Sequence, residues 1–229
     1  MASAPPLKAC VFDAYGTLFD VHSAVARHRP RLGEAADRVS ALWRTKQLEY
    51  SWLRSLMGRH ADFWQVTGDA LDYALEAAGI TDNSVRDDLM NAYLRLDCYP
   101  EVPQVLGRLR ERGIATAILS NGTPAMLAAA VAEAGIGGLL DAVLSVEEVG
   151  VYKTDPRVYQ LAVDRLEAQP QAICFQSSNG WDVAGAVSFG FRVVWINRFG
   201  QPRERLPFPP EAVLKSLDGL PGLLEKSAS

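Results

Sequence analysis

From residue 114 onward, short apolar runs alternate with stretches of helical spacing, and this alternation constrains the fold more than any other feature of the chain. Residues 114–119 read as a strand ending at Ser120-Asn121-Gly122. A helix then starts at Gly122 or Thr123 and runs through Ala134, stopped by Gly135. Residues 141–145 form a short strand, and residues 156–166 carry Val158, Leu161, Ala162 and Leu166 at helical spacing. Residues 172–175 form a strand ending at Gln176-Ser177-Ser178-Asn179, residues 182–188 a helix closed by Gly190, and residues 192–196 the last clear strand. Strands joined by crossover helices lie parallel in one sheet with helices on both faces. The expected class is therefore α/β, with a Rossmann-like parallel sheet core.

Residues 21–95 break that rhythm. They hold long helical stretches with apolar spacing, among them Leu42, Leu48, Trp52, Leu53 and Leu56. They read as a helical cap subdomain inserted after the first strand and lying over the site. The expected division is a core of residues 1–20 and 97–229 and a cap of residues 21–96. Tyr99-Pro100-Glu101-Val102-Pro103 reads as the return linker. After Asn197, Pro202, Pro207, Pro209 and Pro210 mark an irregular surface stretch before a short C-terminal helix.

Composition narrows the function classes. A 229-residue chain can bury one good core and carry one insertion. Its net charge is −4 and it has no long basic run, which argues against a nucleic-acid partner. Arg27, Arg29 and Arg31 read as a solvated stretch. Cys10, Cys98 and Cys174 have no CxxC spacing, which argues for a reducing compartment and against a disulfide framework or zinc site. Cys10 and Cys174 read as core residues. No apolar run approaches membrane-spanning length, and residues 1–6 show no signal peptide, so the expected location is cytoplasmic. His22, His28 and His60 show no partnered arrangement, and no GxGxxG or P-loop calls for a nucleotide. No cofactor is expected.

Residues 8–13 read as a buried strand ending in a carboxylate, Asp13. In open α/β sheets, ligands bind outside the carboxyl ends of the strands. Gly16 lets backbone N–H groups approach a ligand, and Thr17 brings a hydroxyl within reach of Asp13. The alternative is an Asp that caps the next helix. Ser120-Asn121-Gly122 sets a hydroxyl, an amide and free N–H groups together, which serves equally as an anion cradle or an N-cap. Lys153 precedes a helix and, taken alone, reads as a solvated surface lysine. Ser177-Ser178-Asn179-Gly180-Trp181-Asp182 supplies hydroxyls and an amide, with a single carboxylate further on. Mg²⁺ wants hard oxygen ligands in octahedral geometry. With Tyr15 where a second Asp would stand, the expected chemistry is metal-free.

Phe12-Asp13-Ala14-Tyr15-Gly16-Thr17-Leu18 resembles the first motif of the haloacid dehalogenase superfamily, most of whose members are Mg²⁺-dependent phosphatases with Asp-x-Asp there. The departures at Tyr15 and at Ser177 to Asp182 narrow the resemblance to the L-2-haloacid dehalogenases. Trp43-Arg44-Thr45-Lys46-Gln47-Leu48-Glu49-Tyr50-Ser51-Trp52-Leu53-Arg54, Lys153 with Tyr159, and Trp195-Ile196-Asn197-Arg198 support it, and it covers nearly the whole chain. The resemblance implies that Asp13 attacks C2 of a small 2-haloalkanoic acid and forms an ester. Arg44, helped by Asn121 and the edge of Trp181, would take the halide. Without the resemblance Arg44 is a surface helix residue, though no acid at residues 45–48 offers it a partner. Ser120 and the N–H groups of Ala14, Tyr15 and Asn121 would hold the substrate carboxylate. Lys153 would keep Asp13 ionised. Asp182 would direct water to the ester, with Ser177 and Asn179 placing it and Lys153. Tyr15, Leu48, Phe63, Asn179 and Trp181 match the family's pocket, and Thr17 and Tyr159 its catalytic set. The implied outcome is one inversion at C2, an L-2-halo acid giving a D-2-hydroxy acid, in a homodimer. Three alternatives stand: a Mg²⁺-dependent phosphatase, a non-catalytic binding module of the same fold, and hydrolysis of a small acid with another leaving group.

Overall fold

The computed structural model describes residues 5–226; residues 1–4, part of the stretch read for a signal peptide, lie outside it. The apolar run before Asp13 forms β1 (Ala9–Phe12), buried along its whole length. A tight turn at Gly16, with φ at +87°, leads to β2 (Phe19–Asp20). Five helices follow: α1 (Ser23–Arg27), α2 (Arg29–Leu32), α3 (Ala36–Met57), α4 (Phe63–Ala77) and α5 (Asn83–Tyr93). The chain returns through β3 (Asp97–Cys98), antiparallel to β2. The entry to the helical cap and the exit from it are thus hydrogen-bonded side by side.

The alternation expected from the sequence then runs its course. It comprises α6 (Val102–Glu111), β4 (Ala115–Ser120), α7 (Pro124–Glu133), β5 (Ala142–Ser145), α8 (Pro156–Leu166), β6 (Ile173–Ser177), α9 (Gly180–Phe189), β7 (Arg192–Ile196), β8 (Ala212–Leu214) and α10 (Leu220–Lys226). The sheet order is β5-β4-β1-β6-β7-β8, parallel throughout. The chain leaves β1 toward β4 and β5, then crosses to β6 on the other side. That reversal opens a crevice at the carboxyl ends of β1, β4 and β6, where such folds place ligands.

Several boundaries differ from the sequence reading. β6 runs to Ser177, and α9 starts at Gly180 rather than Asp182, so both flank the site more tightly than expected. α6 begins at Val102, inside the expected linker, because Pro103 is tolerated in a first helical turn. β8 pairs with β7 although three residues carry no clear period. The cap helix α3 buries Val39, Trp43, Gln47 and Ser51, one residue every four, against α4. Leu53 and Leu56 are exposed, and Leu42, Leu48 and Trp52 are only partly buried. The true inner stripe includes two polar residues, which a hydrophobic reading passes over. Arg27, Arg29 and Arg31 lie on the surface, paired with Asp97, Asp37, and Asp82 with Asp88. Such exposed pairs are screened by solvent and add little to stability.

Candidate active site

Register sets the site. Phe12 lies level with Ile118 and Gln176, so Asp13 is the first residue past β1 and sits beside Ser177. Its N–H donates to the Gln176 carbonyl at 2.9 Å. The residue is 5% exposed, and its carboxylate makes contacts of two kinds. Oδ1 accepts from Lys153 Nζ at 3.0 Å. Oδ2 accepts from Asn179 Nδ2 at 2.8 Å, Thr17 Oγ1 at 3.1 Å and Ser177 Oγ at 3.4 Å. Asp13 caps no helix; the turn after it is closed by the Ala14 carbonyl, which accepts from Leu18 and Phe19.

Lys153 is not a surface lysine. It is 1% exposed, and its ammonium also donates to Asp182 Oδ2 at 2.8 Å. Burial would push this group down, but the two carboxylates outweigh it and hold the ammonium above its ordinary value. Asp182 is fully buried, and desolvation together with the Asp13 charge raises it above the ordinary carboxylate range despite Lys153. Its other oxygen, Oδ1, accepts from Tyr159 Oη at 2.8 Å. Burial holds the Tyr159 phenol far up, so it remains a donor. The site core is thus a buried row: Tyr159, Asp182, Lys153, Asp13.

The sequence reading gave Ser177 and Asn179 the task of placing Asp182 and Lys153. The structure corrects this. Both donate to Asp13, and Tyr159 with Lys153 holds Asp182. Asn179 also bridges to the cap: its Oδ1 accepts from Arg44 Nη2 at 3.1 Å. Arg44 does have a partner on its own helix, the amide oxygen of Gln47 at 2.8 Å, which a search for acids alone does not find.

Ser120 is buried at the end of β4 and accepts from Gly122 N–H at 3.1 Å, a bond that leaves its own proton available. Asn121 turns its amide oxygen to the Lys153 N–H at 3.1 Å and so ties two loops of the site together. Tyr15 is buried beside Asp13, with ring centroids 5.8 Å from Phe63 and 5.5 Å from Tyr93. Burial raises its phenol well above the usual value. Ala14 is buried and Leu48 partly buried. Trp181 packs edge-on against Trp52 at 5.4 Å. Both indoles wall a cleft of about 570 Å³ with Thr154, Pro156, Leu206 and Phe208; Asp13, Arg44 and Lys153 are not among its walls.

Sequence reasoning did not find the clamp beneath these loops. Trp195 Nε1 donates to the Ser178 carbonyl at 3.1 Å, and Arg198 Nη2 to the Thr17 carbonyl at 2.8 Å. Arg198 also pairs with Glu101 at 2.6 Å, both side chains being more than nine-tenths buried. The Trp195 to Arg198 segment was visible, but its contacts depend on tertiary placement. His22 and His60 also have partners: Ser40 Oγ at 2.8 Å and Glu147 Oε2 at 2.9 Å. Neither histidine contacts the row of four.

A haloacid dehalogenase-like hydrolase family model matches residues 7–190. (S)-2-haloacid dehalogenase 1 of Pseudomonas sp. (strain CBS-3) is 50% identical, over 96% of this chain and 97% of that protein. The chain belongs to the haloacid dehalogenase-like hydrolases. Within them it lies among the (S)-2-haloacid dehalogenases. (S)-2-haloacid dehalogenase 4A of Burkholderia cepacia is 48% identical, over 97% of each chain. A solved L-2-haloacid dehalogenase from Xanthobacter autotrophicus, with chloropropionic acid covalently bound, superposes with a TM-score of 0.89. It is 41% identical and covers 96% of this chain and 98% of its own.

Proposed function

We propose that this chain hydrolyses the carbon–halogen bond of short L-2-haloalkanoic acids and releases halide and D-2-hydroxyalkanoic acids. The observation that carries this reading is the two-sided Asp13 carboxylate. Three donors converge on Oδ2, whereas among the described residues Oδ1 has the Lys153 ammonium alone. Oδ1 is therefore the freer nucleophile. It forms a bond to C2 as the C2–halogen bond breaks, and the halide leaves with the electron pair toward Arg44. Backside displacement inverts C2 once. Ser120 and the adjoining N–H groups hold the substrate carboxylate, and Leu48, Phe63, Tyr15 and Trp181 bound its alkyl side.

Water then adds to the Asp13 carbonyl carbon. Charge develops on Oδ2, where Thr17, Ser177 and Asn179 already donate; preorganised donors of this kind stabilise a tetrahedral oxyanion. Asp182 takes a proton from water, the Cγ–Oδ1 bond breaks, and the departing alkoxide takes that proton from Asp182 as the 2-hydroxy acid; the second water proton, left on the Asp13 carboxyl, passes to solvent and accompanies the halide. Lys153 balances whichever carboxylate is ionised.

A divalent metal does not fit these residues. Asp13 and Asp182 converge on the Lys153 ammonium, and among the described residues no three His, Cys, Asp or Glu side chains cluster as ligands. This supports a metal-independent reaction over a phosphatase. The complete row of polar partners favours an enzyme over a binding module. We place the cap at residues 21–96 and the core at residues 1–20 and 97–229, with the β2–β3 pair as the hinge. A homodimer and a cytoplasmic location complete the proposal; no helix among the described residues is long and apolar enough to cross a membrane.

Halide release from each enantiomer of 2-chloropropionate, with and without chelator, tests the reaction. Release from the L form alone, unaffected by chelator, is expected; loss on chelation with recovery on Mg²⁺ would overturn the metal-free reading. A single turnover in ¹⁸O water with enzyme in excess should label Asp13 and leave the new hydroxyl unlabelled. A labelled hydroxyl would make Asp13 a general base instead.

A further inference from the structure

The cap holds a buried polar network that the reaction as described does not use. Gln47 is 1% exposed and Thr67 is fully buried. Gln47 Nε2 donates to Thr67 Oγ1 at 2.8 Å and lies 3.1 Å from Tyr93 Oη. Gln47 Oε1 accepts from Arg44 Nη1 at 2.8 Å and lies 3.2 Å from the same phenol. Tyr93 is buried between Tyr15 and Trp43, at ring-centroid distances of 5.5 and 5.2 Å.

The direction of the amide is forced. Thr67 Oγ1 gives its only proton to the Phe63 carbonyl at 2.6 Å. It can only accept from Gln47, so Nε2 must face Thr67 and Oε1 must face Arg44. One turn of α4 thereby orients an amide on α3, and the amide orients the guanidinium one turn N-terminal to it. The second Arg44 nitrogen is fixed from the core side by Asn179. A long side chain with several rotatable bonds is held at both ends before any ligand arrives.

Charge matters as much as direction. A carboxylate at position 47 would bond Arg44 equally well, but it would neutralise the cation in a poorly solvated site. A neutral amide fixes the guanidinium and leaves its positive charge whole. We propose that Gln47 is the positioning residue for Arg44, aiming it at the departing halide while leaving it electrostatically unpaired. This rests on the dehalogenase reading, in which Arg44 receives the halide. Thr67 acts on Arg44 through Gln47.

The test uses full-length Gln47→Glu and Gln47→Met, each checked for wild-type circular dichroism and thermal midpoint. Turnover is measured on L-2-chloropropionate and L-2-bromopropionate, and bromide affinity by quenching of tryptophan fluorescence. Misplacing a reacting group by an ångström costs about a hundredfold, so kcat should fall by about that factor with little change in KM. The fall should be larger for chloride, the poorer leaving group, which leans harder on Arg44. Bromide affinity should weaken most in Gln47→Glu. Thr67→Val should give a smaller loss of the same kind, restored in Thr67→Ser; this pair decides the matter if the Gln47 variants do not fold. Folded variants with an unchanged chloride-to-bromide rate ratio and unchanged bromide affinity would overturn the proposal. The bromide measurement needs no turnover, so it judges Gln47 even if wild-type protein released no halide, a result that would overturn the reaction reading alone.

Discussion

Asp182 is a carboxylate held against the preference of its surroundings. Desolvation and the Asp13 charge raise it, and Lys153 and Tyr159 restrain the rise. As pH falls through its raised value, Asp182 binds a proton, releases Lys153 and can no longer take one from water. The acid limb of kcat should therefore lie above the ordinary carboxylate value of about 4. Its effect on stability has the opposite sign. In this window the folded state binds more protons than the unfolded one, so protonation of this group favours folding. Activity should fall with no accompanying fall in thermal midpoint; parallel loss of both would tie the limb to unfolding instead. Arg44→Ala should depress kcat by about 3–4 kcal/mol of transition-state stabilisation, as removal of a preorganised donor does. A near-normal kcat in steady-state assays would leave Arg44 a tie between cap and core and remove it from halide stabilisation. At this scale the sequence was informative where chemistry follows strand ends: Asp13, Ser120 and Ser177 could be named there, and Asp182 in the helix that follows β6. It was silent where burial decides. Nothing local separates Lys153 from a surface lysine, so that only the family resemblance named it, and nothing local marks Gln47 as an inner residue of the cap.

Helix α9 presents Asp182 in its first turn and Gly185 one turn on. A Cβ at Gly185 would lie 2.6 Å from Tyr159 Oη and 2.6 Å from Thr154 Cγ2, closer than real contacts allow. Gly185→Ala should push the phenol from Asp182 and press the loop that carries Lys153. Overpacking of this kind costs about 1–3 kcal/mol, read as a lower denaturation midpoint, with kcat falling further than stability alone explains. An unaltered kcat and midpoint would show that Tyr159 and Thr154 yield freely. Arg198, two residues past β7, makes a similar case. It spans Thr17, on the nucleophile loop, and Glu101, just past the return from the cap. Arg198→Met takes the charge partner from the buried Glu101 carboxylate and leaves it the Leu217 N–H at 3.4 Å; breaking a buried pair costs about 3–5 kcal/mol, measurable by urea denaturation. A loss below about 1 kcal/mol would mean that Glu101 finds another donor. Elements long enough to show a period, such as α8 and β7, were legible to the residue. The short strands β2, β3 and β8 were not, because two or three residues cannot express a period and their pairing is decided by distant partners.

At the scale of the whole molecule, the alternation from residue 114 was enough for a parallel core, and the break in it for an inserted helical cap. How the cap seats on the core was not legible. It rests on contacts between distant segments: the Tyr152 phenol donates to the Ala61 carbonyl at 2.6 Å, its N–H to Ser55 at 3.1 Å, and His60 meets Glu147. The same packing leaves an apolar group facing outward at the end of α3. Leu56 is 84% exposed, Met57 63% and Leu53 50%. Their i, i+3 and i+4 spacing puts them on one face of the helix. Isolated exposed apolar residues need no explanation, but a contiguous group on one face is a candidate association surface. This supports a homodimer joined through the caps. Light scattering should give a mass near twice 25.0 kDa for the intact protein. Leu56→Asp with Met57→Asp should bring it to one chain, because a charge buried without a partner at such an interface is strongly unfavourable. Arg44 lies twelve residues back on the same helix, about 18 Å along its axis at 1.5 Å per residue, so the separated chains should keep bromide affinity. An intact protein that is already monomeric, or a double variant that stays dimeric, would remove α3 from the interface.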